Sequence, residues 1–69
     1  IDVKIKQEIY SFITKLAEEG KSIIFISDDV SEFIGLCDRI IVIKKGRIIQ
    51  EFSQGKSVTK EKLTASVTG

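Results

Sequence analysis

The sequence predicts an α/β fold, and three patterns of apolar residues carry this prediction. Between Ile5 and Leu16, apolar residues recur at spacings of three and four, which is the periodicity of one helix face. Residues 23–26 and 40–43 are instead apolar at consecutive positions. Consecutive apolar residues are typical of strands buried on both faces, as in a parallel sheet covered by helices. The predicted order of elements is αβαββα.

Composition limits the chain to one small domain. A chain of 69 residues buries only about 60% of its unfolded surface. The hydrophobic fraction of 42% and charged fraction of 30% are typical of a globular protein. The net charge of +1 gives no reason to expect a nucleic-acid partner. No apolar run approaches the ~20 residues that span a bilayer. Position 1 is not Met, so we expect either a processed start or part of a longer chain.

The first helix and the strand after it have clear boundaries. The helical stripe consists of five residues: Ile5, Ile9, Phe12, Ile13 and Leu16. Asp2 can cap the start of this helix, and Gly20 supplies a stop at its end. Residues 22–27 are then predicted to form a short strand.

A second helix is predicted from Val30. Its apolar stripe is Val30, Phe33, Ile34 and Cys37. Asp29 is the predicted N-cap. Glu32, three places later, has the spacing of a capping box, in which its side chain would return to the N-cap backbone amide.

The last part of the chain predicts a hairpin and a short helix. Residues 40–43 and 48–52 form the two strands, and 44–47 form the turn between them. Residues 53–57 are a loop. The final helix begins at Thr59, with Val58 and Leu63 at the spacing of a hydrophobic staple.

The predicted sheet is incomplete. Strands buried on both faces need helices on both sides, and one long helix with two short ones can hardly supply them. The edges of so small a sheet are also open to pairing. The chain is therefore predicted to be the tail end of a larger α/β domain, and the isolated piece is expected to self-associate.

The sequence contains no complete catalytic motif. Gly55-Lys56-Ser57 resembles the end of a phosphate loop, but no glycine lies five places before Gly55, so a solvated turn is the favoured interpretation. Cys37 has no histidine partner in the sequence and lies on an apolar stripe, which favours a packed thiol over a nucleophile.

The acid pair Asp28-Asp29 follows the first predicted strand and allows two interpretations. In a receiver-like signalling module, paired acids at a strand end hold magnesium, but a further aspartate would be needed after residues 40–43, where Lys44 and Lys45 stand. Alternatively, Asp29 caps the following helix while Asp28 faces solvent. Capping is the favoured role of Asp29.

Two segments resemble the late part of an ABC-transporter nucleotide-binding domain. Residues 38–48, DRIIVIKKGRI, are similar to a strand that begins Asp-Arg-Ile and turns through a glycine into a hairpin. Residues 24–30, IFISDDV, are similar to the switch region of that family. There the residue after the serine is usually a histidine that contacts the γ-phosphate, and here it is Asp28. The opening residues 1–3 resemble the end of the D-loop.

The resemblance extends to a subgroup of the family. Residues 1–3, 8–10, 16–21 and 60–63 are similar to the second nucleotide-binding half of bacterial importers of ribose, galactose and xylose. That half is commonly unorthodox at the switch histidine, so Asp28 fits the subgroup. The resemblance covers nearly all 69 residues, and it implies that 1–69 is the C-terminal part of one nucleotide-binding domain with a partial P-loop NTPase fold.

The resemblance also implies roles for individual residues. Asp2 takes the D-loop position, and Ser27 and Asp28 take the switch region. An ionised Asp28 would repel a γ-phosphate that an imidazole could bind, so this half-site is expected to be impaired. The sequence contains no phosphate loop, signature motif or Walker B carboxylates, so no catalytic or metal-binding residue is assigned to it, and the chain alone is expected to be inactive and without a cofactor.

For the parent protein, the resemblance implies a sugar-transport ATPase that uses ATP and magnesium. Its partners would be the rest of the ATPase subunit and the sugar permease, at the cytoplasmic face of the inner membrane. The alternatives are the receiver-like module with its metal-binding acid pair and a purely structural adaptor.

Overall fold

The computed structural model describes residues 2–69 and shows a small α/β domain. The elements are helix α1 (Val3–Glu18), strand β1 (Ile40–Lys44), strand β2 (Arg47–Phe52) and helix α2 (Lys60–Thr68). Short 3₁₀ turns lie at Val30–Glu32 and Gly55–Ser57. The α/β class is confirmed, whereas the order of elements differs from the prediction at two places.

Helix α1 has the predicted ends. The Asp2 side chain accepts a hydrogen bond of 2.9 Å from the amide of Lys4. At the other end Gly20 has a φ of 90°. Its amide bonds to the carbonyl of Ala17, and the Lys21 amide bonds to that of Leu16, which is the Schellman pattern.

The apolar stripe of α1 is largely uncovered. No residue of this helix is buried. Ile5, Ile9 and Phe12 are 50%, 44% and 61% exposed. The helix therefore forms from its local sequence and its caps, while its apolar face lacks a cover within residues 2–69.

The predicted strand at residues 22–27 does not form. The described part of the chain contains a two-stranded sheet of β1 and β2, and residues 22–27 pair with neither strand. Ile24 and Ile26 are each 89% exposed. A strand needs the backbone groups of a neighbour to complete its ladder, and the described residues supply no such neighbour here.

The predicted second helix is reduced to a 3₁₀ turn at Val30–Glu32. Gly35 has a φ of 75°, which lies in the left-handed region and prevents continuation of a right-handed helix. Three of the four residues of the predicted stripe, Val30, Phe33 and Cys37, nevertheless pack against the core. The fourth, Ile34, is 38% exposed.

The hairpin forms at the predicted place. Lys45 and Gly46 have φ values of 52° and 77°, and positive φ at both central residues is what a two-residue type I′ turn requires. Ile40 lies opposite Phe52 and Lys44 opposite Arg47, with a shift in register beside Val42. Such a shift has the character of a β-bulge.

The core lies between one face of the hairpin and α2. Its buried side chains are Ile40, Val42, Val58 and Leu63. Val58 and Leu63 therefore form the predicted staple, and the Thr59 hydroxyl caps α2 by accepting from the Lys62 amide at 3.2 Å. The prediction that 40–43 is buried on both faces is wrong for this chain, because alternate residues of β1 are exposed and nothing described covers its second face.

Candidate functional site

Aromatic side chains connect residues 24–30, the segment that resembles the switch region, to helix α1. Phe25 packs edge-to-face on Tyr10 of α1, with ring centroids 6.2 Å apart, and on Phe33, with centroids 5.4 Å apart. Such T-shaped pairs stabilise by roughly 0.5–1.5 kcal/mol beyond their buried area. This row of rings joins α1 to the segment that ends at Ser27.

Glu32, in the 3₁₀ turn Val30–Glu32, is hydrogen-bonded both to helix α1 and to Ser27. Its Oε2 atom accepts from the hydroxyl of Tyr10, and its Oε1 atom accepts from the hydroxyl of Ser27. These bonds, that from Ser27 foremost, lower the pKa of Glu32. The same carboxylate raises the pKa of Tyr10 to about 12, mainly by accepting a hydrogen bond from its hydroxyl group.

Of the two hydrogen bonds in the predicted capping box, the one from the Asp29 amide to Glu32 is wrong. Glu32 does not accept from the amide of Asp29, and its two oxygens accept from hydroxyl groups. The Asp29 amide donates instead to the Ser27 hydroxyl oxygen at 3.0 Å. Sequence reasoning missed Tyr10 and Glu32 as members of the site. The available signal was a lone tyrosine beside the apolar stripe of α1.

Asp29 has its predicted capping role. Its Oδ1 atom accepts from the amide of Ser31 at 3.0 Å and from the hydroxyl of Ser31 at 2.7 Å. Both bonds favour the ionised carboxylate, the hydroxyl bond first, and they lower its pKa. Capping thus occupies Asp29, one of the two acids that the receiver-like alternative would assign to magnesium.

Asp28 takes no part in the cap that Asp29 makes. Its side chain is exposed. Together with Ser27, it lines a groove of about 260 Å³ beside β1 and α2. Asp2 does not line this groove and lies at the start of α1. The structure therefore brings Ser27 and Asp28 together at one surface and places Asp2 elsewhere.

The sequence offers two further candidates, Cys37 and the turn at residues 55–57. Cys37 is partly buried against the core, and burial, followed by the charge of Asp38, raises the pKa of its thiol. This environment agrees with a packed thiol. Gly55 is buried in a 3₁₀ turn, so the turn at 55–57 is solvated only at its other positions, where exposed Lys56 lies 3.4 Å from Asp38.

Within residues 2–69, no three side chains of His, Cys, Asp or Glu come together as a metal site would require. None of the helices described has the length and apolar character needed to cross a bilayer.

Known sugar-import proteins match the chain over nearly its whole length. Over 67 residues, or 97% of the chain, it is 43% identical to the ribose import ATP-binding protein of Chelativorans sp.. It is 47% identical over 68 residues, or 99% of the chain, to the L-arabinose transport ATP-binding protein of Geobacillus stearothermophilus. It is 44% identical over all 69 residues to the xylose import ATP-binding protein of Moorella thermoacetica.

The chain spans only 13–14% of the length of these three proteins. No protein-family model matches it, and no solved structure does. The chain is nevertheless a sequence relative of the ATP-binding proteins of bacterial sugar importers. The resemblance predicted from the sequence is confirmed.

Proposed function

We propose that the chain is a segment of the ATP-binding subunit of a bacterial monosaccharide importer of the ABC type. The observation that carries this proposal is the identity of 43–47% to three sugar-import proteins over 97–100% of the chain. In the complete subunit, ATP binding would close two nucleotide-binding halves, and hydrolysis would reopen them to drive sugar uptake.

Residues 1–69 would form the C-terminal part of the second nucleotide-binding domain, from the end of the D-loop onward. The P-loop NTPase fold is partial here because the rest of the sheet lies in other parts of the subunit. The uncovered apolar faces support this assignment. The stripe of α1 and the side chains of Ile24 and Ile26 are exposed, and the remainder of the subunit is the surface that would cover them. Ile1, at the D-loop end, lies outside the described residues.

Asp2 would take the D-loop position at the interface of the two halves, in addition to capping α1. Ser27 and Asp28 would form the switch region. Their position at one groove supports this pairing. An ionised Asp28 repels a γ-phosphate, so this half-site would hydrolyse ATP poorly. Magnesium would be held elsewhere in the subunit, by the Walker B carboxylates that this sequence lacks.

The partners of the complete subunit would be sugar permease chains at the cytoplasmic face of the inner membrane. The 69-residue chain by itself would neither bind ATP tightly nor hydrolyse it. Its uncovered apolar faces would cause it to self-associate.

Nucleotide binding tests the proposal directly. The complete subunit should bind ATP in a magnesium-dependent manner, measured by titration calorimetry, and the 69-residue chain should not. A complete subunit that binds no ATP would contradict the assignment.

Asp28 offers a second test in the complete subunit. Asp28→His should maintain or raise ATP turnover, because it restores a side chain that can donate to the γ-phosphate. Gln50→His, at an exposed position of the hairpin, controls for a new histidine elsewhere. A large loss of turnover in Asp28→His alone would argue against the switch assignment.

A further inference from the structure

A continuous path of hydrogen bonds runs from α1 to the backbone of residues 27–29. The Tyr10 hydroxyl donates to one oxygen of Glu32, and the Ser27 hydroxyl donates to the other. The Ser27 oxygen then accepts from the Asp29 amide at 3.0 Å. Glu32 is the one member of this path that contacts both hydroxyl groups.

We propose that Glu32 is a positioning residue that fixes the 27–29 loop, and with it Asp28, against α1. This inference rests on the proposed function, because it assigns a role to Glu32 at the switch region of that nucleotide site. Glu32 itself would not contact nucleotide. It would act through Ser27 and the Asp29 backbone.

The chemistry of a carboxylate explains why this position needs Glu. A hydroxyl group can rotate, so its proton follows the strongest acceptor. The two oxygens of ionised Glu32 direct the protons of Tyr10 and Ser27 toward themselves, which turns a lone pair of Ser27 toward the Asp29 amide. The amide of a glutamine has one acceptor oxygen and one donor group, so one of the two hydroxyl groups would have to reorient.

The surroundings of Glu32 keep it ionised and in place. The hydrogen bonds from Ser27 and Tyr10 lower its pKa, and the charge of Lys6 acts in the same direction, while desolvation and the charge of Asp29 oppose them. Phe25 packs between Tyr10 and Phe33, and this packing holds α1 beside the loop. A cleft of about 470 Å³ between α1 and residues 31–36 is also lined by Tyr10 and Glu32.

The first experiment uses the 69-residue chain, which has one tyrosine and no tryptophan. Tyrosinate absorbance therefore reports on Tyr10 alone. In Glu32→Gln, the Tyr10 pKa should fall from about 12 toward its ordinary value of 10.0. Amide exchange measured by NMR should show faster exchange at Asp29, with the β1–β2 ladder unchanged. Glu51→Gln is the control, because it removes a surface carboxylate whose ion-pair partner is Arg39, at 3.7 Å. It should change neither the Tyr10 pKa nor the exchange rate at Asp29.

Variants of Ser27 separate the two halves of the path. Ser27→Ala should speed exchange at Asp29 while the Tyr10 pKa stays raised, and Ser27→Thr, which keeps a hydroxyl group, should restore the slow exchange. Glu32→Ala removes both acceptor oxygens. If Asp29 exchanges at the same rate in Glu32→Ala as in Glu51→Gln, the positioning role is overturned.

The second experiment measures ATP turnover in the complete subunit. A fixed, ionised Asp28 repels the γ-phosphate, and a loop released from α1 lets this carboxylate move away. Glu32→Gln should therefore lower KM for ATP about tenfold, which corresponds to ~1.4 kcal/mol of relieved repulsion, with kcat unchanged. An unchanged KM in a subunit that binds ATP would overturn the inference. A wild-type subunit that binds no ATP would instead contradict the proposed function, and exchange at Asp29 would still decide whether Glu32 fixes the loop.

Discussion

The amide of Gly55 donates a hydrogen bond of 2.7 Å to the carbonyl oxygen of Asp38, and this bond joins the loop after the hairpin to the turn before it. The approach is so close that a Cβ atom on residue 55 would lie 2.5 Å from the carbonyl oxygen of Cys37 and 3.0 Å from Cγ1 of Ile40. Backbone atoms cannot yield as the end of a flexible side chain can. Glycine is therefore required at position 55 for space.

Gly55→Ala should destabilise the chain by about 1–3 kcal/mol, the usual cost of overpacking. The midpoint of urea denaturation measures this loss. Gln54→Ala changes the adjacent exposed residue, whose side chain makes no capping hydrogen bond, and it should have little effect. Equal midpoints for the two variants would show that the 37–38 turn moves aside without cost.

Leu63→Ala should be more damaging. Leu63 is 2% exposed and packs in the core with Ile40, Val42 and Val58. Truncation of a buried leucine costs about 2–5 kcal/mol, which is comparable to the whole stability of a domain this small. Circular dichroism should therefore show loss of most structure. Val67→Ala in the same helix truncates a side chain that is 40% exposed, and a similar loss in that variant would contradict the assigned core.

Stability should fall at alkaline pH because of Tyr10. Its pKa in the folded chain is about 12, above the ordinary value of 10.0, so the folded state holds this proton more tightly than the unfolded state. The contribution is fully present below pH 10 and is lost as the pH rises through 12. Tyr10→Phe should remove this part of the pH dependence in urea titrations. A wild-type profile identical to that of Tyr10→Phe would refute the Tyr10–Glu32 bond.

Self-association of the isolated chain should depend on the exposed isoleucines of the unpaired segment. Ile24 and Ile26 are each 89% exposed, so replacing both with Asp removes apolar surface at little cost to the core. Sedimentation velocity should show the wild type as oligomers and the double variant shifted toward monomer. Ser53→Asp, at an exposed position in a turn, adds charge away from this surface. A wild type that is already monomeric would contradict the expectation.

Local features of the fold could be predicted from the sequence, because they depend on neighbouring residues. The caps at Asp2 and Asp29, the staple of Val58 and Leu63 and the turn at 44–47 are all of this kind. Features that need a distant partner could not. The strand at 22–27 needs a neighbour that the described chain does not supply. Glu32 was assigned a local capping bond, whereas its partner Tyr10 lies 22 positions away.

The absence of buried side chains in α1 has a consequence for how the chain opens. The core is built within one stretch from Ile40 to Leu63, and contacts so close in sequence can form early in folding. Tyr10 joins helix α1 to the rest of the chain by one ring contact and one hydroxyl bond, and no side chain of α1 is fully buried. The hairpin with α2 and the helix α1 should therefore behave as two cooperative units, with α1 detaching at a lower free energy than global unfolding. Native-state hydrogen exchange should show this as a step in protection between the two ends of the chain.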